Sequence, residues 1–425
     1  MTVSIGKRRI WGLVAALAAA TCAVTGLSGA TTSFAAGHIT LTEEDYFNTP
    51  GQIGALSAYN ALFERQHPGV TIKRTYVPFA NLDTELLTQA AASDLPNLLA
   101  TDNPVVSTMI ETGQVVPLSS FKGFSAKGYY PAVVDEGLYK GKYYSLPVAG
   151  ENSVALIYNI AMLKAAGITP PKTWADLVTD AKALTTSSHY GFGLTCEAGE
   201  DTTWQWEPFF WGDGGKFTFS NIDGAPGVAA MNLYASLVND GSASKECLNW
   251  SQTPSVSTQF INGTAAMMLN GPWNFPTFNA SNMVYGQQFG VAPIPTNSPG
   301  QKAVVPLGGE DWMVSKSGGS AAQKMAFQYV EGMQTPAEEL NLANQFGYIP
   351  ARISVAKAFL KAAGPEWTVL VNQTLYAHPR TLGLGVKYPK ISQDVWTAIQ
   401  AVVSGTPVQS ALSTAQSQIS SILKS

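Results

Sequence analysis

The sequence predicts an α/β protein with two lobes, each built on a mostly parallel sheet flanked by helices. The chain has 425 residues, which is more than one compact core usually accommodates. Its hydrophobic content of 45% is ample for well-packed interiors and excludes disorder as the main state. Strand-like and helix-like segments also alternate, and the alternation starts again part-way along the chain.

In the first half, strands and helices follow one another at short intervals. We predict strands over Ile39–Thr42, Val70–Tyr76 and Asn97–Ala100, with helices over Gly54–Gln66 and Leu82–Ala92. Strand–helix–strand spacing of this kind implies right-handed crossovers between parallel strands.

The pattern restarts with a predicted strand over Val154–Tyr158 and a helix that ends at Gly167. The next helix opens with Thr173 and Asp176 in the positions of a capping box, and "YGFGLTC" then reads as a strand. The regularity of the first half is therefore repeated in a second α/β unit.

Two segments are predicted to cross between the lobes, Leu146–Asn152 and Val304–Lys316, whose glycines permit bends. The first lobe is assigned to residues 36–148 and 306–363. The second lobe is assigned to residues 149–305 and 364–425. Both lobes are therefore expected to be discontinuous in the chain.

Residues 1–35 are predicted to be an export signal. Basic residues 7–9 precede an apolar run, Ile10 to Ala20, that is too short to span a bilayer. Residues 33–35 then offer the small side chains of a cleavage site. Alternatively, residues 19–22 are a rough lipobox with Cys22 as the acylated residue, although Thr21 departs from the usual Gly or Ala. We expect an extracytoplasmic protein, in the periplasm or on the outer face of the membrane.

Charge and cysteine content narrow the function classes. Charged residues make up only 13% of the chain and the formal net charge is −4, spread evenly, which argues against nucleic-acid binding. Cys196 and Cys247 form an even pair in an exported chain, so a structural disulfide is predicted, with two separate buried thiols as the alternative. We expect a monomer.

Polar side chains follow predicted strands of the first half. Residues 43–45 (Glu-Glu-Asp) come after the first strand, and Asp102 and Asn103 come after a later one. Ligands of open α/β sheets collect beyond the carboxyl ends of the strands. The sequence therefore predicts a rim of carboxylates and amides there.

The segment "TTWQWEPFFWGDGG" (202–215) combines indoles with a carboxylate, as a carbohydrate site does. Indole faces can bury the C–H face of a sugar ring while carboxylates and amides bind its hydroxyls. Pro208 favours an extended conformation at the residue before it, so we expect Trp206 and Glu207 to be exposed at a helix start. Phe209, Phe210 and Trp211 are assigned to the core.

Two further segments show the same combination of indole with polar neighbours. Trp273 lies between Pro272 and Asn274 after a predicted strand, which is the geometry of a site. "GGEDWMV" (308–314) brings Glu310 next to Trp312. Trp273 is predicted to stack on the ligand, together with Trp206 or Trp312.

Other site classes find less support in the sequence. A glycoside hydrolase could use Glu207 and Glu310 as its carboxyl pair. The acidic segment 43–45 could instead select a cationic solute. No GxSxG or HExxH motif occurs, the four histidines are far apart, and "GLGLGVK" lacks the third glycine of a dinucleotide fingerprint, so no metal and no cofactor are expected.

Six segments follow one another in an order known from one family: "ALFERQHPGVTIKRTYV", "GKYYSLPVAGENSVALIYN", "NGTAAMMLNGPWNF", "VVPLGGEDWMVSKSG", "FGYIPAR" and "SGTPVQSALSTAQSQI". In these segments the chain resembles the sugar-binding proteins of ABC importers, in the group with maltose-, trehalose- and α-glucoside-binding members. The resemblance implies a two-lobe, periplasmic-binding-protein-like fold joined by hinge segments, a sugar ligand in the cleft, and delivery to permease subunits without catalysis. The ligand-binding positions it implies are Glu44, Asp45, Asp102, Asn103, Glu151, Asn152, Trp206, Glu207, Trp273, Asn274, Gly309, Glu310, Trp312, Tyr348 and Arg380.

Overall fold

The computed structural model describes residues 38–374 and 377–425. The predicted export signal lies outside these residues. The strands are β1 Ile39–Asp45, β2 Val70–Tyr76, β3 Leu98–Asp102, β4 Leu138–Tyr139, β5 Lys142–Tyr143, β6 Ser145–Pro147, β7 Ala155–Asn159, β8 Tyr190–Gly193, β9 Ala265–Asn270, β10 Phe289–Ala292, β11 Pro306–Leu307, β12 Glu310–Val314 and β13 His378–Pro379.

Helices surround the sheets. They are α1 Pro50–Gln66, α2 Phe79–Ala92, α3 Asn103–Glu111, α4 Pro131–Val134, α5 Ile160–Ala166, α6 Trp174–Leu184, α7 Glu200–Gly212, α8 Ala225–Asn239, α9 Ser257–Ile261, α10 Phe275–Ala280, α11 Gly319–Met333, α12 Pro336–Phe346, α13 Ile353–Ala362, α14 Trp367–Thr374, α15 Tyr388–Val403 and α16 Val408–Lys424.

Two sheets divide the protein into the predicted two lobes. The first lobe contains a five-stranded sheet in the order β2-β1-β3-β12-β6, and the second a four-stranded sheet in the order β10-β7-β9-β8. The prediction of mostly parallel sheets is wrong in detail. In the first sheet β12 runs antiparallel to both neighbours, and in the second only β8 and β9 are parallel. The first sheet is mixed because β12 is contributed by the chain returning from the other lobe, not by a local crossover.

Local signals set several helix ends. The predicted capping box at α6 is confirmed, because the Thr173 hydroxyl and the Asp176 carboxylate bind each other's backbone N–H. A second box, Thr49 with Gln52, opens α1. The helix α5 ends at Gly167, whose φ of 69° is the left-handed conformation that glycine adopts without strain.

The first strand is longer than predicted. β1 continues to Asp45, so residues 43–45 are part of the sheet and not of a loop after it. Parallel pairing with β2 runs from Ile39 to Asp45 and supplies the hydrogen bonds that hold these acidic residues in the strand. The acidic segment therefore alternates between two faces of the sheet.

Helix α7 contradicts the prediction that Pro208 would expose Trp206 and Glu207. The helix runs through the proline, and both side chains are fully buried. A proline inside a helix loses one backbone hydrogen bond and strains the preceding turn. Burial of the indoles and phenyl rings on both sides of Pro208 offsets that cost, so packing overrides the local preference.

The predicted crossing segments lie side by side. Glu151 exchanges backbone hydrogen bonds of 2.7 Å with Ile349, and Asn152 exchanges bonds of 2.9 and 3.0 Å with Gly308. Next to them, β11 pairs with β13. Backbone pairing thus ties together four passages of the chain near the junction of the lobes. The residue limits of the lobes themselves remain a prediction.

The predicted disulfide joins Cys196 to Cys247, both fully buried in the second lobe. Replacing both cysteines with serine is expected to lower the free energy of unfolding by about 3–4 kcal/mol, because the bond closes a long loop in the unfolded chain. Urea unfolding of the oxidised protein and of the double variant would measure the loss. An unchanged urea midpoint would contradict the prediction, while ligand affinity should be the same in both proteins.

No helix among residues 38–374 and 377–425 is both long and apolar enough to cross a membrane.

Candidate functional site

Ionisable side chains from both lobes meet at the lobe junction, and we call this group the inter-lobe cluster. All of its members are buried except Glu200, which is half-buried. The members are Asp102, Glu136, Glu151, Glu200, Glu207, Glu310, Asp311 and Arg380.

Arg380 is the basic side chain of the inter-lobe cluster. Its Nη2 lies 3.0 Å from Asp102 Oδ1 in the first lobe, and its Nη1 lies 2.6 Å from Glu200 Oε1 in the second. Its guanidinium also sits over the ring of Trp204, 4.5 Å from the ring centre. Arg380 therefore joins the lobes through two charge-assisted hydrogen bonds and a cation–π contact.

Tyrosine hydroxyls donate hydrogen bonds to three of the carboxyl groups. The Tyr388 hydroxyl lies 2.6 Å from Glu200 Oε1 and 2.8 Å from Glu207 Oε1. Tyr348 donates to Glu310 Oε2 at 2.6 Å, and Tyr46 donates to the other oxygen of the same carboxyl group. These hydroxyls hold the carboxyl groups in place.

Burial shifts the protonation equilibria of the cluster. Burial, followed by the nearby Asp102 carboxylate, raises the pKa of Glu310 to about 7. Burial likewise raises the pKa of Glu136 to about 7, although its hydrogen bond from Thr381 opposes the shift. The pKa of Glu151 and of Asp311 also lies well above the usual range, first because of burial and then because of neighbouring carboxylates.

Several acceptors in this region are unsatisfied. Four buried oxygens have no hydrogen-bond partner among the described residues: Asn103 Oδ1, Glu136 Oε1, Glu151 Oε2 and Glu207 Oε2. A buried acceptor without a donor costs about 1–3 kcal/mol, so each is usually matched by water or a ligand. The site consequently has a surplus of acceptors, which suits a ligand that brings donors.

Glycines allow the chain to approach this site closely. Gly309 has a φ of 145°, and a Cβ there would lie 2.9 Å from Glu151 Oε2. Gly308 faces the ring of Trp204, where a Cβ would lie only 2.4 Å away. A larger side chain at either position would displace the site's own groups.

Trp273 lies between the lobes. Its half-buried ring packs against the main hydrophobic cores of both lobes, and its Nε1 donates to Thr253 Oγ1 at 3.2 Å. Its backbone abuts Gly347, the residue before Tyr348. The predicted position of this indole at the end of β9 agrees with the structure, and the ring stays partly exposed.

The predicted site residues outside the aromatic segment and the turn of Trp273 include two groups. Asp102, Asn103, Glu151, Asn152, Gly309, Glu310 and Tyr348 lie at the junction. Glu44, by contrast, accepts from Gln89 of α2 at 3.1 Å, and Asp45 binds Nε of Arg74 at 2.6 Å. Both carboxylates therefore have partners inside their own lobe, and Arg74 balances the charge of Asp45.

Three other predicted site residues make contacts inside the protein. Trp206 stacks on Phe210 with ring centres 4.9 Å apart, and Trp312 lies edge-on to Tyr329 at 6.2 Å in the first lobe's core. Asn274 donates to Asn270 Oδ1 at 2.6 Å, within its own turn. The stacking roles predicted for Trp206 and Trp312 are therefore wrong, because both rings are enclosed by protein.

Sequence reasoning missed six residues of the junction: Tyr46, Glu136, Glu200, Trp204, Asp311 and Tyr388. Trp204 lies in the aromatic segment and Glu200 just before it, so the segment was identified correctly but Trp206 was chosen in place of Trp204. Tyr46, Glu136 and Tyr388 carry no local signal.

The sequence of the chain was compared with known protein families. The model of the bacterial extracellular solute-binding protein family matches residues 58–369. The chain belongs to this family.

Relatives are similar along much of their length. A binding protein of Brucella abortus is 28% identical over 285 residues, covering 63% of this chain and 65% of the relative. The maltodextrin-binding protein of Bacillus subtilis is 23% identical, covering 73% of this chain and 72% of the relative. The match thus spans about two thirds of the curated relatives' length.

Among solved structures, an ABC transporter solute-binding protein of Thermotoga lettingae, bound with α-D-tagatose, superposes with a TM-score of 0.81. It is 24% identical, and the match covers 91% of this chain and 100% of that one. This agreement establishes the two-lobe binding-protein fold that the sequence predicted.

Proposed function

We propose that the protein binds a di- or oligosaccharide in the cleft between its lobes and delivers it to the permease subunits of an ABC importer. The observation that carries this proposal is the set of buried, unpaired acceptors beside aromatic rings where the lobes meet. Sugars present many hydroxyl donors together with an apolar face, and so match both features. The maltodextrin-binding relative is consistent with this ligand class.

Closure of the lobes is the proposed mechanism. A ligand that contacts Asp102 and Glu310 on one side and Glu207 and Arg380 on the other stabilises the closed arrangement. It shifts the open–closed equilibrium by the difference in its affinity for the two states. The paired crossing segments near Gly308 and Ile349 are the proposed hinge.

We further propose that the ligand leaves the site chemically unchanged. The carboxyl groups of Glu207 and Glu310 are both engaged by tyrosine hydroxyls, and the family consists of solute-binding proteins. Hydrolysis of an aryl glycoside, abolished by Glu207→Gln or Glu310→Gln, would contradict this and favour a glycoside hydrolase.

Intrinsic tryptophan fluorescence tests the ligand class. The panel comprises maltose, trehalose, xylobiose, cellobiose, amino sugars and spermidine. Saturable quenching or a spectral shift with a sugar supports the proposal. A response to spermidine with silence across all sugars would overturn it in favour of a cationic, non-sugar solute.

Trp273→Ala is expected to weaken sugar binding by about 1–3 kcal/mol, because an aromatic anchor is lost from the lobe junction. Titration calorimetry would measure the change. Trp250→Ala is the matched control, since Trp250 is also half-buried but packs against Tyr190 within the second lobe. Equal affinity in the Trp273 variant and the parent would exclude the stacking role.

A further inference from the structure

The inter-lobe cluster contains far more acidic than basic groups. The cluster has seven carboxyl groups and one guanidinium. Six of the seven carboxyl groups are buried, and Glu200 is half-buried. Burying carboxylates without compensating charge is costly, so such groups are normally paired or protonated. The charge balance of the site is therefore incomplete.

Most carboxyl groups of the cluster have no charged partner. Arg380 binds Asp102 and Glu200 directly, whereas Glu136 receives a hydroxyl from Thr381 and Asp311 receives an amide from Asn103. These donors are neutral. We call Glu136, Glu151, Glu310 and Asp311 the uncompensated carboxyls; like Glu207 in α7, they form no ion pair among the described residues.

Glu151 is the least satisfied of these four carboxyl groups. Its side chain is 2% exposed, and Oε2 lacks any hydrogen-bond partner within residues 38–374 and 377–425. The backbone of Gly309 lies close to that oxygen, because a Cβ there would be only 2.9 Å from it. Glu136 Oε1 is unpaired in the same way. The unpaired oxygens among the uncompensated carboxyls are thus free to accept hydrogen bonds, and a nearby cation would stabilise the ionised form of these groups.

The cluster already shows that it accommodates a cation. The guanidinium of Arg380 is held by two carboxylates and covered by Trp204. A ligand cation beside Glu151 would meet the same kind of surroundings, carboxylates with little water. A neutral sugar could donate hydroxyls to the unpaired oxygens, but it would leave the charge imbalance in place.

We propose that the ligand is a saccharide carrying a protonated amino group, which binds beside Glu151 among the uncompensated carboxyls. This rests on the proposed function and specifies its substrate class. An ammonium group provides three donors and one positive charge, and so satisfies both deficits at once. The acidic segment of β1 plays no part, because Asp45 is paired with Arg74.

Matched sugar pairs test the proposal. Titration calorimetry near pH 6.5 would compare chitobiose (the free diamine) with N,N′-diacetylchitobiose and cellobiose, and trehalosamine with trehalose, each up to millimolar concentration. An amine that binds at least about tenfold more tightly than its neutral partners supports the proposal. Equal or tighter binding of a neutral sugar overturns it while leaving carbohydrate binding intact. Failure of every amino sugar to bind also overturns it.

Glu151→Gln separates charge from shape, since glutamine keeps the size and one acceptor. The variant is expected to lose about tenfold in affinity for the amino sugar and less than about threefold for its neutral partner. Glu43→Gln is the control: Glu43 is equally buried, but its carboxyl group is held by Asn60 and Tyr329 inside the first lobe. An unchanged ratio of amine to neutral affinity in the Glu151 variant would contradict the assignment.

Discussion

Replacing Arg380 with methionine is expected to lower the free energy of unfolding by about 3–5 kcal/mol, because breaking a buried ion pair leaves its partners uncompensated. The guanidinium is 4% exposed and is bound to Asp102 and Glu200 at 3.0 and 2.6 Å. Methionine fills much of the volume but supplies no charge and no donor. Urea unfolding of the ligand-free protein would measure the loss.

Two further variants show whether the loss comes from charge. Arg65→Met removes an exposed arginine of α1 and should change stability by less than about 0.5 kcal/mol. Adding Asp102→Asn to Arg380→Met should restore part of the loss, since one uncompensated carboxylate is then neutral. A loss below about 1 kcal/mol in Arg380→Met would indicate that water reaches the cluster and that the lobes are open in solution.

Raising the pH from 5 to 8 is expected to destabilise the ligand-free protein. Burial raises the pKa of Glu136 and of Glu310 to about 7 in the folded state. A glutamate side chain that is free in water has a pKa of 4.5. The folded protein therefore holds protons that the unfolded chain has released, and stability falls as pH rises from about 4.5 to about 7. A single such carboxyl contributes on the order of 3 kcal/mol.

Urea midpoints at intervals between pH 5 and 8 would measure this dependence. Glu136→Gln and Glu310→Gln should each flatten the curve, because glutamine does not titrate. Glu43, whose pKa burial also raises to about 7, lies outside the cluster and contributes to the background slope. A urea midpoint that is constant over this range, or that rises with pH, would contradict the raised pKa values of these carboxyl groups.

The proposed opening of the lobes should depend on pH for the same reason. When the cluster is exposed to water, Glu136 and Glu310 regain ordinary acidity, so high pH favours the open arrangement without ligand. A cationic ligand would offset the same charges and restore closure. The pH dependence and the proposed amino sugar therefore have one physical cause.

Local chemistry explains where the sequence was read correctly. The capping box of Thr173 with Asp176, the end of α5 at Gly167, and the strand Val70–Tyr76 depend on neighbours within a few residues. The pairing of Cys196 with Cys247 was predicted because these two cysteines remain when the predicted export signal, which contains Cys22, is set aside. The aromatic segment around Trp204 and the turn of Trp273 were also placed at the site for chemical reasons.

The misassigned residues share a different feature. Trp204 and Trp206 are two positions apart in α7, so they project from nearly opposite sides of the helix. Only one of those sides faces Arg380, and no pattern in the segment shows which one. Likewise Asp311 and Trp312 alternate across β12, so one reaches the junction while the other enters the first lobe's core.

The sequence by itself determined the two-lobe α/β class, the order of most strands and helices, and the disulfide. Each depends on composition, periodicity or short-range hydrogen bonding. Only the tertiary structure decided that Asp45 is neutralised by Arg74, that Trp312 is core, and that Glu136 and Tyr388 join the cluster. These contacts connect residues far apart in the chain, and long-range packing selects the face that each side chain presents.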